Sequence, residues 1–264
     1  MLIDAHNHLQ DSRFGEDLPT IIDSLAQHQI EHCIVNGTCE DDWQRVIDLH
    51  HQHPMLLSPA CGLHPWKTAT RSTRWLEKLT DLLERNPHVS IGECGLDGWI
   101  RDADLQDQCD VLVSHFALSR NYDRPLTIHC LKAWPQLLEM LRGTPPLPPF
   151  LLHSFGGPAQ MIPELCRLGA HFSFSGYFLH PRKHQALQNF RLIPHDRLHL
   201  ETDAPDMAPP LSYQGILVHH AYNHPVILAR LVDELAALRN INRDECAALT
   251  SNNSRRLFRL SPLR

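Results

Sequence analysis

Short apolar, β-branched runs alternate with longer segments of helical periodicity along almost the whole chain. Runs at Leu2-Ala5, Cys33-Asn36, Leu57-Cys61, Val89-Glu93, Leu126-His129, Phe150-His153, His171-Ser175 and Leu198-Thr202 read as strands. Between the first two, Leu18, Ile21, Ile22 and Leu25 recur at helical spacing around Pro19. Between the fourth and fifth, Leu105, Val111, Leu112, Phe116 and Leu118 give a long segment one apolar face. Ile227, Leu228, Leu231, Val232 and Leu235 mark a helix starting beside Pro225, and a last helix begins near Asn242 and runs towards Arg256. Eight strands separated by helical stretches predict an α/β chain, folded over residues 1–264 as a single (β/α)8 TIM barrel.

Two connections stand out. Pro145 to Pro149 is proline-rich and reads as a stiff connector between a helix and a strand. Ala204 to Tyr222 reads as a long loop after the last strand, which in a barrel lies over the catalytic face.

Candidate chemistry collects at the strand ends. His6 and His8 are spaced i, i+2 at the end of the first strand, so both imidazoles can aim at one ion. Glu93 ends the fourth strand, His129 the fifth and His153 the sixth, and Asp203 follows the eighth. Taken singly, a strand-end histidine is more often a hydrogen-bonded core or rim residue, and an Asp there commonly caps a helix. Four histidines and two carboxylates converging from five strands fit that reading poorly and suit a pair of divalent ions. Mixed imidazole and carboxylate donors suit Zn²⁺, Mn²⁺ or Fe²⁺ at least as well as Mg²⁺.

The remaining histidines carry less. His50, His51 and His53 fall where a helix ends before Pro54, and a solvated helix C-terminus accounts for them. His219, His220 and His224 lie in or near the long loop, as substrate contacts or plain surface, and His180, His184, His195 and His199 read as surface or as supports of the site.

A formal charge of −6 gives no general attraction for nucleic acid or anionic membranes, so a phosphate substrate has to be held by bound ions and a few local cations. No apolar run approaches the roughly 18 residues of a membrane span. The N-terminus enters strand-like sequence directly, and none of the eight cysteines forms a Cys-x-x-Cys pair. A cytoplasmic protein with reduced thiols is expected, Cys61, Cys94 and Cys130 serving as small buried hydrophobes.

The motifs together resemble the TatD family of metal-dependent hydrolases, within the amidohydrolase-like barrels. The resemblance runs through Asp4-Ala5-His6-Asn7-His8, Gly62-Leu63-His64-Pro65, Gly92-Glu93-Cys94-Gly95-Leu96-Asp97, Ile128-His129-Cys130, His153-Ser154-Phe155-Gly156-Gly157 and Glu201-Thr202-Asp203-Ala204-Pro205. Asn223-His224-Pro225 and Asn253-Ser254-Arg255-Arg256-Leu257-Phe258 resemble its closing signatures. The resemblance implies one ion on His6, His8 and Asp203, a second on His129 and His153, and Glu93 bridging them. It implies His64 facing a substrate phosphate, two Mg²⁺ or Mn²⁺ ions, and 3′→5′ exonuclease action on single-stranded DNA. Asp203 is the expected acceptor of the attacking water's proton, and His64 with Lys132 the expected phosphate contacts.

The sequence departs from the family after His129, where the cation comes one place late in Cys130-Leu131-Lys132, and at Gln10. These changes leave the ligands alone and touch substrate contacts. A competing reading therefore keeps the ions and changes the bond to an amide, lactone or aminoacyl ester, with Trp66, Trp99 and Tyr213 closing an apolar pocket. A catalytically silent scaffold is disfavoured because no ligand is lost. No obligate protein partner and no membrane contact are expected.

Overall fold

The computed structural model describes residues 1–101, 104–214 and 222–260. Its elements follow the expected alternation: β1 (Leu2–Asn7), α1 (Leu18–Gln27), β2 (Ile30–Asn36), α2 (Glu40–Gln52), β3 (Leu57–Cys61), α3 (Trp75–Arg85), β4 (Ser90–Asp97), α4 (Leu105–Tyr122), β5 (Leu126–Leu131), α5 (Trp134–Gly143), β6 (Phe150–Leu152), α6 (Ile162–Arg167), β7 (Ala170–Phe174), α7 (His184–Asn189) and β8 (Leu198–Leu200). A short α8 (Leu211–Gln214) precedes α9 (Leu228–Arg239) and α10 (Arg243–Leu257). The strands form one parallel sheet in chain order, β1 to β8.

The seam between the first and last strands is closed by a few specific bonds. His8 N–H donates to the Ala204 carbonyl at 2.8 Å, and Asp203 N–H to the His6 carbonyl at 2.9 Å. Lower down, buried Asp4 accepts from Thr202 N–H at 2.9 Å and from Thr202 Oγ1 at 2.6 Å. Burial pushes the Asp4 carboxyl up to about 6, while its bonds to Thr202 and Asn7 pull the other way.

Local chemistry explains the helix starts. Pro19 occupies the first turn of α1, where its missing N–H costs nothing, and Ile21, Ile22 and Leu25 turn inward. Asn242 caps α10 by accepting from Glu245 N–H at 2.8 Å. The Pro225 helix opens as a 3-10 turn, Pro225–Ile227, capped by His224, whose Nδ1 accepts from Val226 N–H at 3.3 Å. His224 is thus buried and structural in part, which corrects its reading as surface.

Strand ends differ from the sequence reading where the backbone turns to build the site. β4 runs four residues beyond Glu93, through Gly95. At Gly95, φ is +145° and an added Cβ would lie 2.0 Å from the His129 carbonyl oxygen, so only glycine lets β4 and β5 approach. β6 and β8 stop at Leu152 and Leu200, before His153 and Asp203. His199 is fully buried on β8, with its ring nitrogens 2.8 Å from His171 Nδ1 and 2.9 Å from Ser254 Oγ. It is neither surface nor a support of the site, because its partners lie on β7 and α10.

His50 and His51 do occupy the last turn of α2. Cys61, Cys94 and Cys130 are buried, and all eight cysteines are free thiols. His219 and His220 lie outside the described residues.

Candidate metal centre

The C-terminal strand ends bring the six expected residues together around one carboxylate. Glu93 is buried in the middle of β4, where the register slips between Ile91 and Cys94; a similar slip between Asp4 and Asn7 brackets His6. Such irregularities re-aim side chains that a regular pleat would send elsewhere. Glu93 Oε2 lies 3.3 Å from His6 Nε2 and 3.2 Å from His8 Nε2. Glu93 Oε1 lies 3.1 Å from His129 Nδ1 and 2.8 Å from His153 Nε2. The carboxylate therefore faces two donor sets, one per oxygen.

Asp203 completes the first set: its Oδ1 is 3.3 Å from both His6 Nε2 and His8 Nε2, which are 3.2 Å from each other. Asp203 sits at φ +55°, a conformation most residues avoid. There its N–H reaches back to the His6 carbonyl while its side chain turns to the cluster. His129 Nδ1 and His153 Nε2 are 3.1 Å apart in the second set.

These donors fit divalent ions on two independent grounds. His6 Nε2, His8 Nε2 and Asp203 Oδ1, 3.2–3.3 Å apart, leave room for a point about 2 Å from all three, a normal length for a metal–nitrogen or metal–oxygen bond, and Glu93 Oε2 lies as close to both histidines. In His8 and His129 the partners of the other ring nitrogens also free the right atoms. His8 Nδ1 lies 2.7 Å from the Asn36 carbonyl and His129 Nε2 lies 3.1 Å from Asp97 Oδ2, so those nitrogens carry the protons. The nitrogens aimed at Glu93 then present lone pairs, as ligation requires.

The electrostatics agree. Burial opposes charge on His8, yet hydrogen bonds to Asp203 and Glu93 hold its pKa well above the ordinary value. His153 is likewise raised by Glu93 and Glu201 against its burial. Glu93 and Asp203 are both pulled down by the surrounding histidines despite burial. The pocket's field calls for positive charge, which a cation supplies as well as a proton does.

His64 is different. Its Nδ1 accepts from Trp66 N–H at 3.0 Å, so in the neutral ring Nε2 bears the hydrogen, 3.2 Å from Glu93 Oε1. Burial lowers its pKa and keeps it neutral. His64 is built as a hydrogen-bond donor beside the cluster. Lys132 stands outside the cluster, with Nζ 3.8 Å from the centre of the Trp99 ring.

Two supporting carboxylates escaped the sequence reading as functional residues. Asp97 Oδ2 accepts from Trp66 Nε1 at 2.6 Å and orients His129. Glu201 accepts from Ser173 Oγ and places Oε1 3.7 Å from His153 Nδ1. Alternation could have found both, since Asp97 lies four places beyond Glu93 and Glu201 two before Asp203. A separate cavity of about 320 Å³ opens at the other end of the barrel, among His32, His88, Arg124 and Arg255, away from this chemistry.

A parallel eight-stranded barrel with this imidazole–carboxylate cluster at its strand ends defines a metal-dependent hydrolase. A family model for TatD-related DNases matches residues 3–259, and the chain belongs to the TatD family. It is 30% identical to the 3′-5′ ssDNA/RNA exonuclease TatD of Erwinia tasmaniensis, across 98% of this chain and 100% of that protein. It is 31% identical to the uncharacterized metal-dependent hydrolase YjjV of Escherichia coli, covering 97% of each. The crystal structure of that TatD homologue superposes with a TM-score of 0.91 at 30% identity, covering 98% of each chain. A TatD-family hydrolase from Entamoeba histolytica shares the fold, with a TM-score of 0.86 at 21% identity.

Proposed function

We propose that this hydrolase is a two-metal 3′→5′ exonuclease acting on single-stranded DNA. His6, His8 and Asp203 hold one divalent ion, His129 and His153 the other, and Glu93 bridges them. The observation that carries the reading is the division of Glu93, one oxygen to each donor set. The substrate class comes from the relatives named as exonucleases.

Two ions bound there lower the pKa of a water and neutralise charge on a phosphoryl group. Asp203, on the rim of the cluster, accepts the proton of the water that attacks phosphorus. Its carboxyl lies below the usual carboxylate range, so it is ionised at neutral pH as a proton acceptor must be, although the pull that ionises it also makes it a weaker base. His64 donates its Nε2–H to a phosphate oxygen. The P–O3′ bond breaks with its electron pair leaving on O3′, which takes a proton from solvent to become the shortened strand's 3′-hydroxyl, while the released nucleotide keeps the 5′-phosphate.

The amide or lactone reading called for a closed apolar pocket. Trp66 and Trp99 are instead open to solvent and Tyr213 is half-buried, which favours a phosphodiester. Family resemblance favours Mg²⁺ or Mn²⁺, while four imidazoles favour Zn²⁺ or Fe²⁺. Among the described residues no helix is long and apolar enough to cross a membrane, and eight free thiols support a cytoplasmic setting.

The test is metal-stripped protein reconstituted separately with Mg²⁺, Mn²⁺ and Zn²⁺. Each form is offered 5′- and 3′-labelled single-stranded DNA and a panel of esters and amides. Stepwise shortening from the 3′ end is expected; turnover of the amide panel alone overturns the reading.

A further inference from the structure

We propose that Trp66 and Trp99 form a base-stacking platform at the mouth of the site, with Lys132 as its cation. The inference rests on the nuclease reading and names how that site grips an unpaired strand.

Of the five tryptophans, Trp43, Trp75 and Trp134 are buried, whereas Trp66 is 63% and Trp99 66% exposed. Leaving two indoles in water forgoes one of the largest burial gains a side chain offers. Both stand on the catalytic face, after the adjacent strands β3 and β4. One carboxylate, Asp97, holds the indole of Trp66 and the backbone that carries Trp99. Trp66 Nε1 donates to Asp97 Oδ2 at 2.6 Å, and Trp99 N–H donates to Asp97 Oδ1 at 2.7 Å. The same carboxylate holds His129. The Trp66 ring lies edge-on to His64, with centroids 5.2 Å apart.

Both rings are thus exposed, with the Trp66 indole pinned through Nε1 beside His64 and the Trp99 ring faced by Lys132. A base stacked on them has its phosphate within reach of His64. Lys132 Nζ, over the Trp99 ring, stands on the same rim for a neighbouring phosphate. A net charge of −6 denies the protein a general grip on a polyanion, so stacking has to supply much of the affinity. Stacking tolerates any base sequence and needs bases that are not already paired and stacked in a duplex. That is the selectivity a single-strand exonuclease requires.

The test has two arms. In metal-stripped protein, tryptophan fluorescence is titrated with a thymidine oligonucleotide and with an abasic phosphodiester chain of equal length. Quenching by the first alone is expected; equal quenching by both, or none, overturns the platform. In reconstituted enzyme, Trp99→Leu is expected to raise KM for the oligonucleotide roughly tenfold with kcat within about twofold, and Trp99→Phe to recover most of the loss. For a chain abasic at its last positions, wild type and Trp99→Leu should share one KM. Unchanged KM in Trp99→Leu overturns stacking and leaves the nuclease reading standing. Quenching without any shortening by wild type overturns the nuclease reading and leaves a base-binding surface.

Discussion

Asp97 Oδ2 lies 3.1 Å from His129 Nε2, so a carboxylate four residues beyond Glu93 decides which nitrogen of His129 is bare. That oxygen also takes the Trp66 indole proton, while Oδ1 takes the Trp99 amide. An amide at this position must turn an N–H toward one of those donors. Asp97→Asn is therefore expected to weaken metal binding or activity roughly 10- to 100-fold. Calorimetric metal titration checks it, and unchanged affinity and activity would show that His129 needs no such support.

Asp203 is assigned two duties, ligand and proton acceptor. Asp203→Asn is expected to lower kcat by roughly 10²- to 10⁴-fold at saturating metal. Metal content measured on the same sample separates the duties. Hydrolysis undiminished in the fully loaded variant would remove the residue from the base role.

Gly95 allows β4 to run against His129. Gly95→Ala places a methyl carbon 2.0 Å from a carbonyl oxygen at φ +145°, with no flexible side chain to give way. A loss of about 3 kcal/mol or more is expected from clash and strain together. Urea unfolding measures it, and a near-neutral outcome would contradict the described approach of the two strands.

His115 links stability to pH. It is fully buried, its Nε2 accepts from Leu63 N–H at 3.1 Å, and burial pushes its pKa down to about 4. The unfolded chain, with an ordinary histidine pKa near 6.5, binds a proton that the folded chain refuses between those values. The contribution is complete above pH 6.5 and is lost as pH falls towards 4, about 3 kcal/mol in all. His32 and His171, also lowered to about 4 by burial, act in the same direction. Urea titrations from pH 7 to 4 should therefore show a shallower decline for His115→Gln than for wild type. Parallel curves would refute the assignment.

What the sequence disclosed and what it withheld have physical causes. Apolar runs and their spacing locate parallel strands because both faces of such strands are buried, and β3 was bounded to the residue. The metal candidates were legible because each closes a run. Asp97 was hidden because Gly95 reads as a break, whereas it is the condition for β4 continuing. Glu201 was hidden in the motif that carries Asp203. His199 and His224 look like surface by composition, and only long-range partners, Ser254 and His171 for the first, make them interior. The exposure of Trp66 and Trp99 depends on loops whose course no periodicity encodes.

The seam between β1 and β8 has a further consequence. Asp4 and Thr202, 198 residues apart, meet there, and the carboxylate of Asp203 reaches the first strand's histidines one bond above. No partial barrel can assemble the His6, His8 and Asp203 set, because its members come from opposite ends of the wrapped sheet. A nascent or nicked chain ending before residue 203 carries most of the ligands and lacks the trap. An ion that binds only the closed form adds its binding free energy to closure itself. With an ion held by the proposed set, its uptake would depend on completion of the fold, and amide exchange at His8 and Asp203 is where a chelator's effect should first be felt.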